Sequence, residues 1–233
     1  GALEVERVKP SRADPRGLRF YNAAWLFSPA GEVMGCYRKQ HLVPFGEFIP
    51  LDKTLPWLQR LAPTGVSCTR GAGPCVLTVT RGPGREIRLG PMICFEDTVP
   101  PLSRAAVRAG ARLLVLMTND AWFSGSVEPV QHLNQSVLRA VENGVPLVRA
   151  SNSGVTCAVD PVGRVTRLES DGAAADFTGF LTLPLAVPAQ PLPAPYTRWG
   201  DWPLAIPGAA LAAAVLLLGA PGRCLRRGGG GVR

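Results

Sequence analysis

The sequence has few of the residues that build metal sites or disulfide scaffolds. Its 233 residues include two histidines, His41 and His132. Its six cysteines contain no CxxC pair and match no zinc-site spacing. They are also too few and too widely spread for a disulfide-rich fold. Two of them, Cys68 and Cys75, flank a Gly/Pro-rich loop, and the sequence leaves open whether they pair or stay free thiols. The cysteines lie at positions 36, 68, 75, 94, 157 and 224.

Acidic residues are also scarce, with 17 Asp and Glu against 25 Lys and Arg, for a formal net charge of +8. A basic balance can indicate nucleic-acid binding, but here the arginines are scattered through loops and collected in the tail, residues 221–233. The sequence has no RNA-stacking motif or recognition-helix signature. A solvated or lipid-facing basic surface explains the charge, and no nucleic-acid partner is expected.

A signal peptide and internal repeats are absent, and the chain opens on Gly1 rather than Met. We therefore expect it to be a piece of a longer protein. Its length suits one α/β domain with small additions.

Hydrophobic patterning predicts strands that alternate with helices and are then followed by further strands. This order is typical of an α/β sandwich. The predicted strands cover residues 20–27, 32–37, 76–79, 86–89, 92–95, 113–117, 147–149, 155–159 and 164–168, and the predicted helices cover 101–111 and 129–143.

The C-terminal part changes in composition. We predict a catalytic domain over residues 1–183, followed by a proline-rich extended linker over 184–201. Residues 202–220 are almost wholly apolar and uncharged, close to the roughly 20 residues that a bilayer core requires. We predict a transmembrane helix there and a basic cytoplasmic tail over 221–233.

The flanks of this apolar segment set its orientation. Trp199 and Trp202 lie at one end, where aromatic rings favour the interface, and arginines lie at the other. The positive-inside tendency then places the tail in the cytoplasm and the domain on the opposite side. A buried core helix is the alternative, and Pro203 and Pro207 keep it open.

Cys94 is the first candidate for chemistry. An apolar strand runs directly into it, and Phe95, Glu96 and Asp97 follow. A cysteine at a strand end is held rigidly at the mouth of a sheet, and its thiolate is a strong nucleophile when a base or cation is near. An inert core thiol is the alternative.

Lys39 is the second candidate, because it follows a strand and precedes a loop that contains Pro44 and Gly46. A lysine in that place could set a cation beside a thiolate and stabilise an oxyanion. Glu47 could hold that lysine in position. The alternative is a surface Lys–Glu pair, which contributes little.

These segments resemble the nitrilase superfamily and, more closely, its apolipoprotein N-acyltransferase branch. The lysine segment Tyr-Arg-Lys-Gln-His-Leu-Val-Pro-Phe-Gly-Glu-Phe and the nucleophile segment Ile-Cys-Phe-Glu both match that branch. Four further motifs follow in the same order, at residues 118–123, 129–133, 139–142 and 149–154. The resemblance covers nearly the whole chain.

The resemblance implies a four-layer αββα sandwich with a Glu-Lys-Cys triad. Cys94 and Lys39 match two triad members, and the triad glutamate is expected upstream of this chain, since Glu4 and Glu6 do not match its motif. Glu47 is predicted as a supporting catalytic acid.

The resemblance also suggests residues that contact substrate. Glu96 is predicted as an acid in the pocket, and Phe95 stands where the branch often has Tyr. Asn119, Trp122 and His132 lie on or beside a loop after a core strand, where substrate contacts are common. For His132, helix packing or a structural hydrogen bond is the alternative.

The implied reaction moves an acyl chain from a phospholipid to the α-amino group of a diacylglyceryl-cysteine lipoprotein, through a thioester on Cys94. No metal or organic cofactor is expected. The implied location is the bacterial inner membrane, with the catalytic domain on the periplasmic side. A nitrilase-type amide hydrolase and an inactive fragment of the acyltransferase are the alternatives.

Overall fold

A computed structural model describes residues 2–10, 17–51, 54–55, 57–58, 67–82 and 84–219. The chain divides into two compact units, Gly1–Arg198 and Trp199–Arg233. The described part contains the strands β1 (Ala2–Arg7), β2 (Leu18–Phe27), β3 (Val33–Arg38), β4 (Leu77–Thr80), β5 (Glu86–Ile93), β6 (Leu113–Asn119), β7 (Leu147–Asn152), β8 (Cys157–Val159) and β9 (Val165–Arg167). Its α-helices are α1 (Pro100–Arg108), α2 (Glu128–Asn143), α3 (Pro195–Trp199) and α4 (Ala205–Gly219).

The larger sheet has the strand order β4-β5-β6-β7-β8-β9. Its centre is parallel, because β5, β6 and β7 pair in the same direction. The helices α1 and α2 make the two crossovers between these strands, as parallel pairing requires. Buried apolar side chains from both helices and from the strands form the main core, for example Val107, Leu114, Leu133 and Leu147. The α/β prediction is confirmed.

The smaller sheet is antiparallel, with the order β1-β2-β3. Ala24 and Tyr37 from this sheet pack against Ile93 of β5 in a second buried cluster. The predicted αββα sandwich has four layers, and three of them are seen. They are the layer of helices α1 and α2, the larger sheet and the smaller sheet. Among the described residues no helix forms the fourth layer.

Two strand predictions needed correction. The segments predicted separately as 86–89 and 92–95 form one strand, β5, which continues through Gly90 and Pro91. Proline is tolerated there because β4 pairs with β5 only as far as Leu89, so no neighbour on that side needs the missing N–H. Strand β1 was not predicted at all. Its apolar side chains Leu3 and Val5 are exposed, the reverse of a strand that faces a core.

The next predictions concern the proline-rich linker, 184–201, and the basic tail, 221–233. The proline-rich segment makes hydrogen bonds within the first unit, where Arg112 Nε donates to the Ala189 carbonyl at 3.1 Å and Leu192 N–H donates to the Gly144 carbonyl at 2.8 Å. The predicted boundary between residues 183 and 184 stays a prediction. The tail 221–233 lies outside the described residues.

The predicted transmembrane segment is 202–220, and its described residues, 202–219, form a short 3-10 turn followed by α4, which has 15 residues. At about 1.5 Å per residue such a helix is about 22 Å long, against about 30 Å for a bilayer core. Within the described part of the chain, no helix has both the length and the hydropathy needed to cross a membrane.

Candidate active site

Cys94 lies at the carboxyl end of β5 and begins a short 3-10 turn, Cys94–Thr98, which we call the nucleophile turn. Its backbone has φ of 54°, in the left-handed region that residues other than glycine rarely occupy. Such strain persists only where the surroundings hold it, and it concentrates at functional sites. The side chain is partly exposed, and it packs against the buried cluster between the two sheets. Ligands of open parallel sheets bind at this end of the strands.

Glu96 holds the nucleophile turn against the segment that carries Lys39. The carboxylate is fully buried and accepts the Tyr37 hydroxyl at 2.8 and 2.9 Å. It also accepts the backbone N–H groups of Gln40 at 2.7 Å and His41 at 3.0 Å. Its other oxygen accepts the N–H of Ile93, the last residue of β5, at 2.7 Å. A single carboxylate therefore joins the two segments that the sequence analysis selected.

The Tyr37 hydroxyl is a permanent donor in this arrangement. Burial, reinforced by the charge of Glu96, raises the pKa of Tyr37 far above its ordinary value. The proton therefore stays on the phenol throughout the physiological range.

Lys39 is 1% exposed, so its ammonium is buried rather than a surface charge. Its Nζ lies 2.9 Å from Glu47 Oε1 and 2.8 Å from Oε2. Glu47 is itself held by Asn22 Nδ2 at 2.7 Å and by Val43 N–H at 2.9 Å. A buried cation needs such a partner, because an unpaired charge would lose its hydration without compensation. Glu47 thus fixes the lysine, as predicted for a supporting acid.

The backbone around Lys39 is fixed as well. Its N–H donates to the Asn22 carbonyl at 2.8 Å, and its carbonyl accepts Gly71 N–H at 2.8 Å. A Cβ at Gly71 would clash with the Arg38 carbonyl, so this close approach requires glycine. Because Glu96 grips residues on both sides of Lys39, the lysine and Cys94 segments meet. That the ammonium lies beside the Cys94 sulfur stays a prediction.

A second group of buried charges lies beside the nucleophile turn, and we call Asp97, Asp120, His132 and Arg149 the ion cluster. All four are at most 2% exposed. Arg149 Nη2 donates to Asp120 Oδ2 at 2.6 Å. Its Nη1 lies 3.4 Å from Asp97 Oδ2 and 3.0 Å from Ser136 Oγ. The guanidinium therefore ties β7 both to the nucleophile turn and to the residue that follows β6.

His132 lies between the two carboxylates of the ion cluster. Its Nε2 is 2.7 Å from Asp97 Oδ1, and its Nδ1 is 3.1 Å from Asp120 Oδ1. Burial opposes a charged imidazole, but hydrogen bonds to Asp120 and Asp97 outweigh burial and raise the pKa of His132 to about 9. Burial likewise disfavours ionised Asp120, yet His132 and Arg149 lower the pKa of Asp120 to about 2.

Two aromatic rings connect the ion cluster with the nucleophile turn. Phe95, directly after Cys94, stacks on the His132 ring with centroids 4.8 Å apart and an interplanar angle of 16°. Phe123 meets Phe95 edge-on at 6.1 Å. The ring after the nucleophile is therefore held on two sides.

The remaining predicted contacts lie just beyond the carboxyl end of β6. Trp122 belongs to a 3-10 turn, Ala121–Phe123, and is 82% exposed. Asn119 Oδ1 accepts Asn152 Nδ2 at 3.0 Å and Ala121 N–H at 3.2 Å. The predicted substrate contacts of Asn119, Trp122 and His132 stay predictions. The ring nitrogens of His132 already face carboxylates.

Three residues could offer metal ligands: Asp120, Glu128 and His132 bring one ligand atom each within 4.8 Å of one another. The guanidinium of Arg149 already lies there, with Nη2 3.0 Å from His132 Nδ1 and hydrogen-bonded to Asp120. The arginine supplies the positive charge that a cation would bring, so the donor set does not fit a metal ion.

Among the described cysteines, Cys36, Cys68 and Cys75 are less suited to nucleophilic chemistry than Cys94. Cys68 and Cys75 are free thiols, which answers the question that the sequence left open. Burial raises the pKa of both, and burial together with the charge of Glu4 raises the pKa of Cys36 to about 11.

Sequence reasoning did not select Tyr37, Asp97, Asp120 or Arg149 as individual site residues. One signal was available, because Arg149 interrupts an apolar strand, and a charge inside a buried strand requires a buried partner. The identity of that partner depends on tertiary contacts between β7, the nucleophile turn and the residue after β6.

Comparisons with known proteins show which family this sequence resembles. Residues 5–174 match the family model described as carbon-nitrogen hydrolase. The chain is 47% identical over 152 residues to the apolipoprotein N-acyltransferase of Geobacter metallireducens, covering 65% of this chain and 28% of that protein. It is 40% identical over 202 residues to the enzyme of the same name from Azotobacter vinelandii, covering 86% of this chain and 35% of that protein. These matches confirm the resemblance seen in the motifs.

The chain spans about a third of the length of these two relatives. Among solved structures it is similar to Saccharomyces cerevisiae Nit3, a member of branch 10 of the nitrilase superfamily. The TM-score is 0.50 and the identity 19%, with 76% of this chain and 56% of Nit3 covered. This similarity supports the nitrilase-like α/β fold.

Proposed function

Because this chain belongs to the carbon-nitrogen hydrolase family, we propose that it carries the acyl-transfer site of an apolipoprotein N-acyltransferase, with Cys94 as the nucleophile. The observation that carries the proposal is the strained Cys94 backbone on a turn that Glu96 fastens to both sides of buried Lys39. A strained residue held at the carboxyl end of a parallel strand is the arrangement expected of an activated nucleophile.

In the first half-reaction, the Cys94 thiolate attacks the carbonyl carbon of a phospholipid acyl ester. A C–S bond forms, and the carbonyl oxygen becomes an oxyanion. The Lys39 ammonium, held by Glu47, and backbone N–H groups at the start of the nucleophile turn stabilise this charge. The proton that the Cys94 thiol gave up is held by a general base, the triad glutamate that the family resemblance implies. The C–O bond then breaks, and the lysophospholipid takes up that proton as it leaves, giving a thioester on Cys94.

In the second half-reaction, the α-amino group of a diacylglyceryl-cysteine lipoprotein attacks the thioester. An amide bond forms, the C–S bond breaks, and the amine passes a proton to the same general base as the Cys94 thiolate is regenerated. This is a ping-pong reaction through a covalent intermediate. Both half-reactions pass through an oxyanion at the same place, so Lys39 and Glu47 serve twice.

Exposed aromatic and polar groups near the turn provide contacts for lipid substrates. Trp122 is 82% exposed after β6, where its ring can cover an acyl chain. Phe95, Asn119, Glu96 and His132 are the other residues that we assign to substrate contacts, and of these Glu96 and His132 are buried.

We place the protein at the bacterial inner membrane, with the catalytic domain on the periplasmic side and the C-terminus in the cytoplasm. Two points support this location: the proposed substrates are lipids, and α4 carries no charged residue. The apolar segment 202–220 is proposed to insert in the bilayer. Flotation with inner-membrane vesicles before and after a carbonate wash tests the proposal.

Amide hydrolysis is the second candidate, favoured by the description of the family model, carbon-nitrogen hydrolase. Nucleophile, lysine and fold would be the same, but water would accept the acyl group and the donor would be an amide. The assay below separates the two.

The test is to purify the protein encoded by the gene in detergent and to supply phospholipid with a labelled acyl chain. A diacylglyceryl-cysteine peptide serves as acceptor, and the same peptide with an acetylated α-amine is its control. N-acylation of the free peptide alone supports the proposal. Release of free fatty acid, or hydrolysis of small amides, at equal rates with and without acceptor would favour the hydrolase.

A further inference from the structure

We propose that His132 is a positioning residue: as an imidazolium held between Asp97 and Asp120, it fixes the nucleophile turn through Asp97 and through the stacked ring of Phe95. The inference rests on the proposed role of Cys94 as nucleophile. It assigns His132 a role behind the turn, in addition to any contact with substrate.

The carboxylates on both sides of the ring favour a proton on each of its nitrogens. Both of its nitrogens lie within 3.1 Å of a carboxylate oxygen, and a carboxylate can only accept. Arg149 Nη2 also lies 3.0 Å from Nδ1, but its shorter bond, at 2.6 Å, goes to Asp120 Oδ2. We therefore assign the Nδ1 proton to Asp120, which Arg149 also contacts, and the Nε2 proton to Asp97.

The charge balance of the ion cluster leads to the same conclusion. Asp97 and Asp120 carry two negative charges, and Arg149 carries one positive charge. A neutral His132 would leave one buried negative charge uncompensated, which is strongly unfavourable. Glu128, one helical turn before His132, lies 3.8 Å from Nδ1, so an ionised Glu128 would only increase the need for a cation. Burial, reinforced by the charge of Asp120, raises the pKa of Glu128.

The mechanical link to the nucleophile is short. Asp97 is three residues after Cys94 in the same turn, and its other oxygen accepts Ser136 Oγ at 2.6 Å. Phe95 is the next residue after Cys94, and its ring lies flat on the imidazolium, which adds a cation–π attraction to the stack. Helix α2 therefore holds Phe95 and Asp97 in the nucleophile turn. Cys94, the first residue of that turn, is the one with the strained backbone.

The expected consequence is that loss of the imidazolium releases the turn and misplaces the sulfur. A displacement of about 1 Å at a reacting atom can lower a rate by about 10²-fold. Substrate binding by exposed groups such as Trp122 should change little. The effect should therefore appear in kcat rather than KM.

The experiment measures the rate of Cys94 alkylation by iodoacetamide in the purified protein encoded by the gene, by peptide mass spectrometry, as a function of pH. Cys36, Cys68 and Cys75 in the same molecule are internal controls. His132→Gln removes the charge, and Asn134→Gln places glutamine on the exposed side of the same helix as a matched control. We expect His132→Gln to slow Cys94 by about tenfold or more and to leave the three other thiols unchanged. Asn134→Gln should react like the native chain.

The pH profile separates positioning from general stability. The ratio of the native Cys94 rate to the His132→Gln rate should be constant below about pH 9 and fall as His132 loses its proton, because ionisation of the thiol itself raises both rates alike. If His132→Gln keeps the native unfolding temperature and Cys94 still reacts at the native rate, the inference is wrong.

If His132→Gln does not fold, Phe95→Leu serves as the second variant. It removes the stacked ring and leaves the ion cluster intact. Slower Cys94 alkylation in Phe95→Leu then supports the inference, and an unchanged rate overturns it. If native Cys94 reacts no faster than Cys75, the proposed function itself fails, and the inference fails with it.

Discussion

The Lys39–Glu47 pair and the ion cluster both bury charge near Cys94, but they differ in how completely that charge is satisfied. In the ion cluster, two carboxylates face a guanidinium and an imidazolium, and all four side chains are at most 2% exposed. In the pair, the buried ammonium meets one carboxylate whose side chain is 18% exposed. The ion cluster is closed and balanced, whereas the pair lies where solvent or a substrate can reach its carboxylate.

This difference separates a structural role from a chemical one. A closed ionic group with every bond satisfied specifies one geometry, and breaking it leaves an uncompensated buried charge. A cation with one partner still has donors for a charge that develops during a reaction. We therefore expect changes in the ion cluster to appear first in stability, and changes around Lys39 to appear first in the chemical rate.

Removal of the nucleophile should give the largest effect. Cys94→Ala should lower acyl transfer by at least about 10³-fold and leave the unfolding transition close to native. The measurement is complementation of a strain depleted of its own N-acyltransferase, with Cys157→Ser as the control because Cys157 is a buried thiol of the main core. Growth supported by Cys94→Ala would contradict the assignment.

Breaking the ion cluster should give the largest loss of stability. Arg149→Met removes the guanidinium from two buried carboxylates and should lower the free energy of unfolding by about 3–5 kcal/mol. Arg164→Met is the matched control, since Arg164 is 85% exposed and pairs with Asp160 at 4.0 Å. The control should change stability by less than about 1 kcal/mol. Urea unfolding measures both, and equal effects would show that the ion cluster is not a closed network.

A change in the Lys39–Glu47 pair should affect the chemical rate more than stability. Lys39→Arg keeps the charge but replaces a compact ammonium with a planar fork, and should lower kcat by about 10²–10³-fold. Single-turnover acylation with labelled phospholipid measures it, and Lys9→Arg, outside the site, should be neutral. A Lys39→Arg enzyme with native kcat would mean that the lysine is only structural.

The pH dependence of stability should report the ion cluster. The pKa of His132 is raised from 6.5 to about 9, so its contribution is complete below about pH 6.5 and is lost as the pH rises through 9. The linked free energy is about 3 kcal/mol. Asp120, with its pKa lowered to about 2, contributes above about pH 4 and loses that contribution as the pH falls through 2.

Urea midpoints between pH 4 and 10 should therefore be highest at the acidic end of the neutral range and fall at alkaline pH. In His132→Gln the alkaline fall should be smaller. An identical fall in both proteins would assign it to other groups.

The exposed aromatic beside the site should have the smallest effect. Trp122→Ala removes an apolar contact for an acyl chain and should raise KM for phospholipid by about tenfold, with kcat nearly native. Val162→Ala, an exposed apolar residue on a turn, is the control. A fall in kcat with unchanged KM would place Trp122 in the chemistry instead.

The sequence was sufficient for most of the elements, though not for β1, and for the segments that carry the site, because hydrophobic periodicity and motif spacing are local properties. Helix α2 was predicted over 129–143 and begins one residue earlier, and Gly144 ends it with φ of 61° as a left-handed cap. Glu47 was predicted to hold Lys39, and it does.

The long-range contacts could not be predicted. Glu96 was predicted as an acid in the pocket, but its bonds to Tyr37 and to the backbone of Gln40 and His41 depend on how the two sheets stack. Likewise, the sequence left open whether His132 contacts substrate or stabilises the fold, because its two carboxylate partners lie 35 and 12 residues away. Local pattern selects the residues, and packing between elements selects their partners.

The most direct test of the account is capture of the acyl intermediate. The protein encoded by the gene is incubated with phospholipid that carries an isotopically labelled acyl chain, without acceptor, quenched in acid and digested for mass spectrometry. The account predicts one labelled acyl group, on the peptide that contains Cys94, and its release by neutral hydroxylamine as expected of a thioester. Acylation of a different residue, or transfer to an acceptor peptide while Cys94 stays unmodified, would contradict it.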